Sequence, residues 1–273
     1  AYPDSTKVIV GGESYEGRQI LGLRINTPKD REDKPVMFIE SGIHAREWIT
    51  PATTTYFINQ LLTSNDPNIT AMRDQFDWRI FPTVNPDGYH YTFTWDRMWR
   101  KTRSRSTWRC YGADPNRNWD YNWGSNSSSN PCDYQTYAGS QPFSEKETRT
   151  LSEYISGIEN LLGYVAFHSY AQTLLLPYSD SSDHTDNYDD LILVLHLGGA
   201  EYQYNNLFTF FRPCASGGSM DWVRHALGTP LVFTYELRGM YFHWPASRIP
   251  EQGEEVTQMM LGLVESAKEL GYF

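Results

Sequence analysis

Short apolar runs with strand character alternate along this chain with longer stretches of helical periodicity, and that alternation limits the folds open to it. Strand-like runs fall at residues 8–10, 20–25, 36–43, 78–84, 164–168 and 231–236. Helix-like runs interleave with them at residues 53–63, 144–158, 188–204, 219–226 and 254–270. This pattern predicts an α/β fold with a largely parallel central sheet and helices on both faces. A chain of 273 residues that is 40% hydrophobic and 15% aromatic can bury one large core. Nothing in it reads as a linker, so a single domain over residues 1–273 is expected. A formal net charge of −10 disfavours nonspecific nucleic-acid binding, and the basic neighbourhood of residues 100–105 is too local to reverse that. No apolar run is long enough to cross a membrane and no internal repeat is present.

The chemistry starts at His44 and Glu47, which stand three residues apart in Ser41-Gly42-Ile43-His44-Ala45-Arg46-Glu47-Trp48. An imidazole and a carboxylate at that spacing can reach one divalent metal, although the pair alone more often marks an exposed helix face or a capped turn. Its setting carries the signal. Pro35 to Glu40 reads as a strand, Gly42 supplies a turn, and Pro51 with Tyr56, Phe57, Ile58, Leu61 and Leu62 reads as an amphipathic helix. The pair therefore sits where a strand passes into a helix, the edge at which open α/β sheets bind ligands. A catalytic zinc site needs a third protein ligand and keeps a further position for water. His168, ending the apolar run Leu162 to Phe167, is the best candidate. His90, His184, His196, His225 and His243 lie in polar or helix-like contexts and read as structural or solvent-facing. No His-Glu-x-x-His sequence occurs, so a general base must come from elsewhere in the chain.

Eight ordered stretches resemble the pancreatic-type metallocarboxypeptidases, the carboxypeptidase A and B family, over almost the whole chain. They are Ser14-Tyr15-Glu16-Gly17-Arg18, Gly42 to Trp48, Asn85-Pro86-Asp87-Gly88-Tyr89, Arg97 to Arg103, Asp114 to Trp119, His168-Ser169-Tyr170, Ser216-Gly217-Gly218-Ser219 and Tyr235-Glu236-Leu237-Arg238. The resemblance implies a twisted mixed sheet of about eight strands with one Zn2+ at its C-terminal edge. It implies His44, Glu47 and His168 as zinc ligands, with bound water acidified to a pKa of about 7. Glu236 would be the general base and Arg100 the cation facing the oxygen that becomes negative. Asn116 and Arg117 would clamp the substrate's terminal carboxylate, with Arg46 at the approach and Tyr170 in the cleft. Asp114 would accept the second N–H of His44 and fix its tautomer. On the residues alone, Glu236 would read as an ion pair with Arg238, and Arg117 as surface charge in a turn.

Family members that cut after Lys or Arg carry Asp directly after Gly-Gly-Ser, whereas Met220 stands there in this chain, followed by Asp221. A Met-lined pocket is a poor host for an unpaired cation, so aliphatic or aromatic C-terminal residues are expected, with Phe208 a further candidate for the wall. The implied activity is removal of the C-terminal residue from peptides and proteins; the alternative is an impaired relative that binds C-termini without cutting. Three departures from the family are visible. Pro213 takes the place of its substrate-capping Tyr, the segments 177–215 and 238–245 look short, and its opening helix is missing. Cys110 and Cys132 match the family's disulfide, closing a loop of roughly 20 residues and contributing about 3 kcal/mol, and leave Cys214 over. Asn68-Ile69-Thr70 and Asn126-Ser127-Ser128 are glycosylation sequons that read as polar loops. Together with an Ala1 start, these features suit a secreted, processed monomer of a family made with an inhibitory pro-segment.

Overall fold

The structure, a computed structural model, describes residues 2–28, 31–197, 202–206 and 215–273. In chain order its elements are β1 (Thr6–Glu13), β2 (Gln19–Ile25), β3 (Val36–Ser41), α1 (Ile49–Thr63), α2 (Pro67–Gln75), β4 (Asp77–Phe81), α3 (Pro86–Thr94), α4 (Lys146–Ser156), β5 (Leu161–Ser169), β6 (Thr173–Leu176), α5 (Tyr188–Leu197), β7 (Gln203–Asn206), α6 (Ser219–Leu227), β8 (Leu231–Leu237) and α7 (Ile249–Glu269). The strands form one sheet of eight in the order β1-β2-β4-β3-β5-β8-β6-β7. The four central strands β4, β3, β5 and β8 are mutually parallel, while β1, β2 and β6 add antiparallel pairings. This is the mixed, largely parallel α/β architecture expected from the alternation of elements.

Every residue of β3 is buried, as a strand covered on both faces must be. Its alternate side chains divide between two cores. Met37 and Ile39 join Val165, Phe167, Phe233 and Tyr235 under the face that packs Phe57 and Leu61 of α1 and Val256 and Met260 of α7. Val36 and Phe38 join Tyr164, Ala166 and Val232 under Leu151 and Ile155 of α4 and Trp222 and Val223 of α6. The same alternation assigns Glu40, His168, Thr234 and Glu236 to the α6 side, which gathers polar groups at one end of the sheet.

The chain leaves β3 for β4 on one side and returns to place β5 on the other, creating a switch point at the C-terminal ends of β3 and β5. Gly42 makes the exit: its φ is +66°, and a Cβ there would lie 3.2 Å from the Pro82 carbonyl oxygen. Thr50 braces the loop, accepting from the Gly42 N–H and donating to the Glu47 carbonyl, each at 3.0 Å. Asn85 donates to the Ile43 carbonyl at 3.0 Å and caps α3 by accepting from Gly88 N, so its motif tethers the loop that carries His44.

Two elements differ from the sequence reading. Within the run at 188–204, Tyr188–Leu197 is helix, and Gln203–Asn206 is a strand on the sheet edge, parallel to β6. The helices α2 and α3 and the strand β6 went unread; they are short, and their apolar periodicity is weak. Asn68 lies in the first turn of α2, after the Asp66 cap, instead of in a loop. The Cys110–Cys132 disulfide is present. Phe208, Pro213 and Cys214 lie outside the described residues. No helix among the described residues is long and apolar enough to cross a membrane.

Candidate metal centre and substrate cleft

His44 and Glu47 come from the loop after β3, and His168 from the end of β5. One ligand atom from each lies within 4.8 Å of the others, and all three residues are buried. His44 Nδ1 is 2.9 Å from Glu47 Oε1, while His168 Nδ1 is 3.2 Å from His44 Nδ1 and 3.4 Å from Glu47 Oε2. Asp114 Oδ1 lies 3.0 Å from His44 Nε2, which assigns the proton of a neutral His44 to that nitrogen. The Nδ1 lone pair then faces a carboxylate and a second imidazole nitrogen. Such a crowd of donors is repulsive by itself and favourable around a cation, and two nitrogens with one carboxylate suit zinc.

Charge perturbations around this cluster have definable causes. Burial opposes ionisation of Glu47, but the two imidazoles outweigh it and hold the carboxyl far below its ordinary range. Burial also opposes charge on His168, yet its bond to Glu47 prevails and pushes it up to about 9 in the metal-free protein. Burial together with Arg100 pushes His44 down. Burial lifts the Glu236 carboxyl to about 7, with His168 and the nearby guanidiniums pulling the other way.

Glu236 occupies the penultimate position of β8, in register with His168 on β5, and both line a cavity of about 360 Å³. Arg238 pairs with Glu255 through Nε at 2.5 Å, so the simple pairing of Glu236 with Arg238 is not the arrangement adopted. Arg100 is fixed on Asp114 Oδ2 by Nε at 3.1 Å and Nη2 at 2.8 Å, and its Nη1 stands 3.9 Å from Glu47 Oε1. Arg117 ends the single turn Pro115–Arg117 and reaches the cavity instead of solvent. Burial pushes its pKa down, and Asp114 counters this. Asn116 Oδ1 accepts from the Ser219 N–H at 2.9 Å, joining that turn to the start of α6. Gly217 permits the join, since a Cβ on it would sit 2.4 Å from the Arg117 carbonyl oxygen.

Met220, buried on α6, lines the cavity with Leu175, Thr234 and Gly218, and its sulfur accepts from the Thr234 hydroxyl at 3.4 Å. Tyr170 lines the cavity with its ring 5.0 Å from Phe242. Arg46 is not among the residues that line this cavity; it stacks 4.2 Å over Phe242, which does line it, and is bonded to Gln135. The sequence reading missed Phe242, Leu175, Thr234 and the buried Glu40, which accepts from the Tyr164 hydroxyl at 3.1 Å. Alternation along β8 was the available signal for Thr234. Phe242, on an irregular loop, had none.

A family model described as zinc carboxypeptidase matches residues 1–259. The chain belongs to the zinc carboxypeptidase family. A zinc carboxypeptidase of Simulium vittatum is 45% identical over all of this chain and 93% of its own length. A zinc carboxypeptidase A 1 of Anopheles gambiae is 41% identical over all of this chain but only 65% of its own, so the present chain spans about two thirds of that relative. The solved carboxypeptidase A of Helicoverpa armigera superposes with a TM-score of 0.89 at 31% identity, covering 99% of this chain and 70% of that one. This metallocarboxypeptidase thus has the fold of its relatives and, in His44, Glu47 and His168, a residue set that fits their zinc.

Proposed function

We propose that this carboxypeptidase hydrolyses the last peptide bond of peptides and proteins, preferring aliphatic or aromatic C-terminal residues. The observation that carries the proposal is the single cavity shared by His44, Glu47, His168, Glu236, Arg100, Asn116, Arg117 and Met220. Zinc, which His44, Glu47 and His168 would hold, would supply Lewis acidity at this end of the cavity.

The protein's own groups have separable tasks. Glu236, lifted toward neutrality by burial, takes a proton from the attacking water and delivers it to the leaving nitrogen. Arg100, pinned by Asp114, offers N–H groups to the carbonyl oxygen as negative charge develops there. Arg117 and the Asn116 amide, whose oxygen is already occupied by Ser219, donate to the terminal carboxylate and restrict cutting to the chain end. Leu175, Met220 and Thr234 surround the terminal side chain, and among the described residues no carboxylate lines that wall to pair a Lys or Arg. Asp221 is buried behind, accepts from Ser179 N at 3.0 Å, and is pushed by burial up to about 7. The disulfide supports a secreted enzyme, and the family supports a pro-segment that covers the cleft before activation.

Initial rates on N-blocked dipeptides ending in Phe, Leu, Lys and Arg, with and without a zinc chelator, test the reading. Chelator-sensitive cleavage of the Phe and Leu substrates is expected. A preference for Lys or Arg refutes the role of Met220, and binding without turnover replaces the peptidase with a C-terminus binder.

A further inference from the structure

A second cavity, of about 370 Å³, adjoins the catalytic one, and Gln172, Arg238, Tyr241, His243, Trp244 and Arg248 contribute to its wall. The two cavities share a partition. Gln172 follows Tyr170 by two residues, and the loop after β8 sends Phe242 into the catalytic cavity and its neighbours Tyr241 and His243 into the second. The Tyr170 ring stands 5.0 Å from Phe242 and 6.4 Å from Tyr241. The second cavity thus lies across the Tyr170–Phe242 partition from the catalytic one.

The wall is rich in hydrogen-bond donors. Among the described residues no Asp or Glu lines it. Trp244 Nε1 is buried without a hydrogen-bond partner, and Arg248 lies 4.6 Å over the same indole. Arg248 is oriented from behind by Glu251, at 2.9 and 2.8 Å, and Arg238 by Glu255. Those two carboxylates balance the two guanidinium charges, so the cavity is not a general sink for anions. Its indole and guanidinium groups can only donate, while Gln172, Tyr241 and His243 can also accept. The matching ligand group is an acceptor, and of the acceptors in a peptide a side-chain carboxylate gains more from a guanidinium than a backbone carbonyl does. Met240 and Tyr241, 79% and 73% exposed, add apolar contact surface at the edge.

We infer that this cavity binds the carboxylate of a Glu or Asp side chain lying upstream of the scissile bond, so that the enzyme favours acidic peptides at one such position. The inference rests on the proposed peptidase activity, and the test keeps the two apart. The zinc-loaded full chain is assayed on N-blocked peptides with one common C-terminal pair, Leu-Phe, and with Glu, Gln or Lys placed in turn at each upstream position. At one position Glu should exceed Gln in kcat/KM by roughly five- to tenfold, the scale of one partly solvated charge-assisted bond. The gain should vanish in R248Q and in W244F, which replaces the indole with a smaller ring that has no N–H, while the Gln peptide is cut by both variants at the wild-type rate. Equal rates for Glu and Gln at every position, or a gain that survives in both variants, overturns the inference. Free succinate separates the other source of the same chemistry. If it alters cleavage of the Gln peptide through Arg248, the site takes a small free anion and the assignment to substrate is wrong. Should no peptide be cut, the peptidase reading fails, and tryptophan fluorescence titration with the Glu and Gln peptides still decides the cavity: tighter Glu binding lost in R248Q supports it, and equal binding refutes it.

Discussion

Asp114 joins parts of the site that come from distant segments, and its replacement by Asn exposes that dependence. The carboxylate is wholly buried. Its Oδ1 accepts from His44 Nε2 at 3.0 Å and from the Asn116 N–H at 2.9 Å. Its Oδ2 accepts from Arg100 Nε at 3.1 Å and Nη2 at 2.8 Å. An amide has one oxygen to offer. If it serves His44 and Asn116, the new NH₂ points at the Arg100 guanidinium and two donors meet; if it turns, His44 loses the acceptor that fixes its tautomer. Losing one positioned donor to the developing oxyanion, as when Arg100 is no longer held in place, costs about 2.7–4 kcal/mol of barrier stabilisation. Glu47, 3.9 Å from Arg100 Nη1, still restrains the guanidinium in part, so the low end applies. About 3 kcal/mol of lost transition-state stabilisation is roughly a 150-fold fall in kcat/KM. Zinc affinity should fall about 10- to 100-fold, as when a hydrogen-bond partner of a metal-bound His is lost. The assay is steady-state cleavage of a blocked dipeptide at saturating zinc, alongside zinc titration against a competing chelator. A D114N enzyme within threefold of wild type in both quantities would refute the account of how Arg100 and His44 are held.

Three further outcomes are expected. M220D should reduce kcat/KM for Phe-ended peptides and introduce cleavage after Lys or Arg; a variant inactive on all of them while still binding zinc and melting normally would remove Met220 as the determinant. R117Q should raise KM for free-acid substrates by roughly 100-fold, the scale of losing one partner of a buried charge pair, and leave binding of the matching C-terminal amide unchanged. Equal effects on acid and amide would argue against the clamp. Glu147 is pushed by burial up to about 7, with Oε2 lacking a partner and Oε1 accepting from Tyr15 N. Its stabilising contribution is fully present below the unfolded carboxyl pKa and is lost as pH rises through about 7. E147Q should therefore raise Tm relative to wild type at pH 8 and leave it little changed near pH 4.5; an equal shift at both would contradict the burial argument.

The metal ligands were legible because they sit at or just after the ends of apolar strands: His168 near the end of β5, and His44 with Glu47 in the loop after β3. The central sheet was legible for the same reason, since β3, β5 and β8 are buried on both faces and read as apolar runs. Roles that depend on distant partners were not. Nothing near Glu40 in the sequence announces that its carboxylate meets Tyr164 and that burial pushes it up to about 7. Phe242 needed the loop's path to be known, and the polar strand Gln203–Asn206 needed its neighbour β6. Arg117 could be read as a surface charge or a clamp until the turn at Pro115–Arg117 was seen packed against Gly217. The functional roles came from a family resemblance; the residues supplied the chemistry that made each role reasonable.

The central claim is that Glu236 moves the proton at a zinc site built from His44, Glu47 and His168. Its most direct test is E236Q, assayed for zinc content, for affinity toward a substrate with a free C-terminal Phe, and for kcat on that substrate. The account predicts one zinc per chain, near-normal substrate affinity, and a kcat lower by about 10²–10⁴-fold, the usual contribution of a positioned general base. Full zinc content with kcat within tenfold of wild type would contradict it and place the base elsewhere.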